Sequence, residues 1–144
     1  MKTFARKLVT NLSFGLAAGS LLLAGVAADA KPRLTPEQAL AKTLEGRVAG
    51  EPVNCIYTPR VLSTRIYDKT AIVYDAGNTI YVNRPDSGVR ALDDNDIMVT
   101  TPTGSQLCNV DIVRMIDRSA GFFRGSVSLG QFVPYKKVKA EKEG

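Results

Sequence analysis

The chain has 144 residues, a formal charge of +5, two cysteines and neither histidine nor tryptophan. Without histidine there is no Ser-His-Asp or Cys-His catalysis and no histidine-ligated metal, and two cysteines alone cannot close a tetrahedral zinc site. The positive charge is not gathered into one stripe, which argues against nucleic acid as a partner.

The first stretch, "MKTFARK", carries Lys2, Arg6 and Lys7 and no acid. An apolar run from Phe14 to Ala28 follows, closed by Ala28-Asp29-Ala30. A basic start, a short apolar core and an A-x-A ending predict a secretory signal peptide over residues 1–30, cut between Ala30 and Lys31. A cut after Ala28 is the second choice. The apolar core is shorter than the roughly 20 residues of a membrane span. The alternative is an uncleaved inner-membrane anchor, because the uncharged run reaches back to Leu8, diluted by Thr10, Asn11 and Ser13. Gly15 and Gly19 form a G-x-x-x-G, read here as small-residue leader composition rather than a helix-pairing motif. Val26 stands where a lipid-bearing cysteine would be needed, which excludes a lipoprotein. The expected product, Lys31 to Gly144, is one domain near +3 in the periplasm, with no membrane span after processing.

Residues 31–52 read as a short helix and a linker. In "RLTPEQALAKTLEGR", Thr35 is the N-cap, Pro36 takes the first helical position, Gln38 completes a capping box and Gly46 ends the helix. Leu40 and Leu44 share a face, with Ala41 beside them. "AGEP", Ala49 to Pro52, breaks the chain.

Residues 53–135 read as a β-rich domain. "VNCIY" is a short strand. "RVLSTRIYD" alternates, with Leu62, Thr64 and Ile66 on one face and Ser63, Arg65 and Tyr67 on the other. "TAIVYDAGNTIYVNR" is a hairpin turning at Asp75 to Asn78. "RPDSGVRALDDND" is a turn-rich crossing, "IMVTT" a strand and "PTGS" a turn. "SQLCNV" is a strand end or a bend, "IVRMIDR" a strand or a helical turn, and "GSVSLGQFVPY" one final strand. Residues 136–144 are a charged, flexible tail. Six to seven short strands without intervening helices predict a mainly β fold, a small antiparallel barrel or sandwich preceded by one short helix; α+β is the alternative class.

Cys55 and Cys108 are the only cysteines, and the leader sends them to an oxidising compartment, where two cysteines pair. No base stands beside Cys108, and Asp111 nearby opposes a thiolate. A structural disulfide is therefore expected.

The segments "NCI" at Asn54, "AIVY" at Ala71, "YVNRPDSG" at Tyr81, "SQLCNVD" at Ser105, "VRMIDR" at Val113 and "LGQFVPY" at Leu129, with "ST" at Ser63, resemble small exported bacterial proteins of uncharacterised function. The resemblance covers most of Asn54 to Tyr135. It implies a periplasmic, disulfide-containing β domain and carries over no activity and no catalytic residue.

Three constellations are candidates for chemistry. "LDDND" is acidic, but counted as a calcium loop from Asp94 it has Asp96 at the third position, Val99 where glycine is required and no glutamate at the twelfth; it reads as a turn. Asp93, Asp96, Asp111 and Asp117 are the carboxylates from which a hydrolase pair would be drawn, although Asp111 and Asp117 also suit turn caps or partners of Arg114 and Arg118. "YVNRPDSGVR" offers Tyr81, Asn83, Arg84, Ser87 and Arg90, with Arg84 and Arg90 as candidates for holding an anionic group. The reading that follows is an envelope protein with a binding or structural role, an envelope component as its partner, and no cofactor, metal or catalytic residue assigned. The alternative is a small envelope hydrolase or carbohydrate-active domain using aspartates.

Overall fold

The structure, a computed structural model, describes residues 33–102 and 104–138. The expected signal peptide and its cut between Ala30 and Lys31 lie outside the described residues, as does the end of the tail.

Helix α1 spans Pro36–Leu44 and begins as the capping box requires. Gln38 N donates to Thr35 Oγ1 at 3.3 Å, and Thr35 N donates to Gln38 Oε1 at 2.9 Å. Two of the helix's orphan donors are satisfied in this way. Leu40 is fully buried and Leu44 packs beside it, but Ala39, not Ala41, completes the buried face; Ala41 is exposed.

Ten strands follow among the described residues: β1 (Arg47–Ala49), β2 (Cys55–Tyr57), β3 (Ser63–Tyr67), β4 (Ala71–Ala76), β5 (Thr79–Asn83), β6 (Ile97–Thr100), β7 (Gln106–Cys108), β8 (Ile112–Ile116), β9 (Phe123–Ser128) and β10 (Phe132–Lys137). The fold is mainly β and antiparallel, as expected. The expected count of six to seven is corrected to ten for three reasons. The linker contains β1, which pairs with β10. Both ambiguous segments, "SQLCNV" and "IVRMIDR", are strands, β7 and β8. The single final strand is two, because Gly130 interrupts it: a Cβ there would lie 2.3 Å from the Arg84 carbonyl oxygen. The boundary at 135 also moves, since Lys136 and Lys137 belong to the β10 ladder.

The strands form three sheets, not a closed barrel. One has five strands in the order β1-β10-β5-β4-β3, one pairs β2 with β7, and one has the order β6-β8-β9. The five-stranded sheet is covered on both faces. Leu40 of α1 packs with Tyr67, Ala71, Val73, Ile80 and Val82 on one side. On the other side Ile72, Tyr74 and Phe132 meet Ile56 and Leu107 of the two-stranded ribbon and Val113, Met115 and Val127 of the three-stranded sheet. Tyr74 and Phe132 meet edge to face, with ring centroids 5.7 Å apart.

The Cys55–Cys108 disulfide is present. The two cysteines face each other across the β2–β7 register, Cα atoms 4.0 Å apart. Asn109 N donates to Asn54 O, which places the pair at a non-hydrogen-bonded site, where side chains of neighbouring strands come closest.

Candidate groove between two strand edges

The five-stranded sheet ends at β3 and the three-stranded sheet at β6. Between these two edges, under the start of α1, lies a groove of about 1160 Å³. Four consecutive residues, Thr64 to Tyr67, line it from β3 and Asp68 from the turn that follows, and Ile97, Met98 and Thr100 line it from β6. Neighbouring side chains on a strand point to opposite faces, so consecutive residues line one space only where the strand presents its edge. Ile66 and Met98, which pack against the main core, give the groove apolar ground. Leu34, Pro36 and Ala39 supply the wall next to α1.

One end is closed and acidic. Asp94 N donates to Asp68 Oδ1 at 2.7 Å, and Lys69 N donates to Leu92 O. Carboxylate oxygens of Asp68, Asp93 and Asp94 lie within 4.8 Å of one another. The acidic run was legible in the sequence, but Asp68 arrives from the β3–β4 turn, and no spacing along the chain signals it. Arg33, Arg65 and Arg118 also line the groove; Arg118 Nε donates to Asn95 O at 2.9 Å.

Of the aspartates that the hydrolase reading singles out, Asp96 also lines the groove and Asp93 belongs to the acidic cluster at its end. Asp93, Asp96 and Asp117 converge on Arg124, at 3.1, 3.2 and 3.4 Å. Asp96 is buried, and the arginine offsets the cost of burying its charge. Asp117 also caps its own turn, accepting from Ser119 N and Ala120 N. The Ala120 N–H, with help from Ser119 and Arg124, holds the Asp117 carboxyl below its usual range. An ionised carboxylate of this kind is a poor general acid. Asp111 accepts from Cys108 N at 2.7 Å. Asp111 and Asp117 thus take the turn-capping role, one of the two expected for them, and not the pairing with Arg114 and Arg118: Arg114 stacks over the Phe123 ring at 5.4 Å, and Arg118 bonds a carbonyl.

The "YVNRPDSGVR" segment is a structural brace. Asn83 is fully buried and exchanges hydrogen bonds with Gly130, donating to its carbonyl and accepting from its N–H. Tyr81 packs against the main core, and Ser87 pairs with Ser128. Gly88 has φ of +74°, and a Cβ there would lie 2.1 Å from Ser126 O, so glycine is required. Arg84 forms a two-pronged pair with Glu37 in the first turn of α1, at 2.6 and 3.1 Å. The hydrogen bond to Arg84 holds the Glu37 carboxyl below its usual range. Arg84, a candidate for holding an external anion, thus has an internal carboxylate instead. Arg90 is exposed on a short 3-10 turn, Val89–Ala91.

No helix among the described residues is long and apolar enough to cross a membrane. In comparisons of the chain with protein-family models, with curated proteins and with solved structures nothing matches, and the reading of the groove rests on its own geometry.

Proposed function

We propose that the chain is an exported, disulfide-braced binding domain of the bacterial envelope whose ligand site is the groove between β3 and β6. The observation that carries this reading is the groove itself, walled by two strand edges, with apolar ground and charged rims. Its volume of about 1160 Å³ exceeds the roughly 300–1,000 Å³ usual for small-molecule pockets. Export is supported by the leader pattern of residues 1–30 and by the disulfide, which suits an oxidising compartment. The hydrolase alternative is weaker, because Asp93, Asp96 and Asp117 are gathered on one arginine.

The test is site-specific photocrosslinking in living cells, with the probe at Thr64 or Thr100 and a control probe at Val48 on the opposite edge of the five-stranded sheet. Discrete adducts from the groove positions alone are expected. Equal labelling from Val48, or none from the groove, would reject the groove as the ligand site. Intact-mass analysis of periplasmic protein should find a chain beginning at Lys31; full-length chain in the membrane fraction would reject processing.

A further inference from the structure

Resting on the groove as the binding site, we infer that its ligand is an extended polypeptide segment, which adds as a strand antiparallel to β3 and carries a basic residue near its N-terminal end.

The argument begins with unsatisfied backbone. A strand at the edge of a sheet presents unpaired N–H and C=O groups, and these pair readily with another extended chain. Here two such edges border one space, and β3 lines it with consecutive residues, Thr64 to Tyr67. The sheets they belong to are stacked through the shared core. A chain laid along the groove therefore meets the open edge of β3 on one side and the β6 rim on the other. A sugar or small anion would leave most of those backbone groups unpaired, whereas an extended peptide presents donors and acceptors along both of its sides.

Direction follows from the closed end. Asp68 comes just after β3 and Asp94 just before β6, and the two are hydrogen bonded. The two rims therefore run in opposite directions, and a guest strand must be antiparallel to one and parallel to the other. Every pairing in the five-stranded sheet is antiparallel, and antiparallel pairing is slightly the more stable. Antiparallel addition to β3 continues that sheet and puts the N-terminal end of the guest beside Asp68 and Asp94. Three carboxylates meet there within 4.8 Å, and among the described residues Asp93 alone of the three has an arginine partner. A lysine, an arginine or a free α-amino group supplies the missing positive charge. Further along, alternate guest side chains rest on Ile66 and Met98, which favours apolar residues at every second position.

The experiment selects from a displayed library of random eight-residue peptides against the purified domain, followed by titration of the enriched peptides into isotopically labelled protein. Enrichment of β-branched, alternating sequences with an N-terminal basic residue is expected, with saturable shifts of the amides of Thr64–Tyr67 and Ile97–Thr100. N-methylation of alternate backbone nitrogens on one side of the guest should weaken binding at least tenfold. Asp94→Asn should weaken the basic peptide several-fold while leaving a version without the basic residue unchanged. Asp68→Asn, which keeps an acceptor for Asp94 N, should do the same, so a folding defect cannot imitate the result. Saturable binding that ignores N-methylation would overturn strand addition and leave groove binding standing. No enrichment at all would overturn a peptide ligand, and crosslinks from Thr64 and Thr100 in cells would still uphold the site. Loss of those crosslinks would remove both.

Discussion

The five-stranded and three-stranded sheets are built from similar residues but are covered differently. In β4, Ala71 to Tyr74 are all buried, because α1 covers one face and the other sheets cover the opposite one. In β8 burial alternates, with Val113 and Met115 inside. Several outward positions of that sheet are nevertheless apolar, around Arg114 and Ser126: Ile112 is 58% exposed and Phe123 52%, with Ile97 and Val99 beside them. A solvent-facing sheet is ordinarily polar on its outer side. Apolar character in a strand therefore marks burial only where the tertiary structure supplies a cover, and here the same residue types mean core in one sheet and surface in the other.

The sharpest way to break the comparison is to truncate one side chain in each sheet. Phe132→Ala removes a fully buried ring that both sheets share and should cost roughly 3–5 kcal/mol. Ile112→Ala, on the uncovered face, should stay within about 0.5 kcal/mol. Urea unfolding measures both; similar losses would mean that the outer face of the three-stranded sheet is covered.

The disulfide comes next. It ties the β2–β7 ribbon that packs beneath the five-stranded sheet, across a separation of 53 residues. Loop-closure entropy for that separation predicts about 4 kcal/mol for either Cys55→Ala or Cys108→Ala. The double variant should be little worse than either single one, because each already breaks the same bond. Additive losses, or two free thiols in denatured wild-type protein without reductant, would contradict the bridge.

Asn83→Ala deletes the side chain that pairs with both backbone groups of Gly130 in the break between β9 and β10. Leaving those groups buried and unpaired should cost about 1–3 kcal/mol. In contrast, Tyr74→Phe should be neutral or stabilising by up to about 1 kcal/mol, since its buried hydroxyl has no hydrogen-bond partner among the described residues. Burial pushes that phenol's pKa up for the same reason. A marked loss on Tyr74→Phe, read from the urea midpoint, would reveal a partner for the hydroxyl.

The smallest expected effect is on pH dependence. Glu37 and Asp117 both have folded pKa values below their ordinary ones. Their contribution is complete above the ordinary carboxylate range and is lost as pH falls through the lower folded values. Glu37 is exposed and Asp117 lies partly open at the surface, so solvent screening keeps the effect small. Between pH 6 and pH 3, Glu37→Gln and Asp117→Asn should each lose less stability than wild type. An unchanged slope would mean that neither carboxylate is held by its neighbours. For α1 that would leave packing of Leu40, rather than the Arg84 pair, as its hold on the sheet.

Local chemistry was legible along the chain. Thr35, Pro36 and Gln38 determine where α1 starts, because capping satisfies donors within three residues. Alternation and the Gly77-Asn78 turn determine the β4–β5 hairpin, in which Asp75 Oδ1 accepts from Gly77 N. Two cysteines without a nearby base determine the bridge. Tertiary structure decided the rest, because it depends on residues far apart in sequence. The β-prone run breaks around Gly130, where the chain passes from one sheet to another and the Arg84 backbone leaves no room for a side chain. Arg124 gathers three aspartates from two separate loops. The groove exists only because β3 and β6, about 30 residues apart, end their sheets side by side. Hydrophobic pattern and turn chemistry act over a few residues, whereas the order of strands in a sheet is set by which faces can be buried together, and that choice also leaves an edge open.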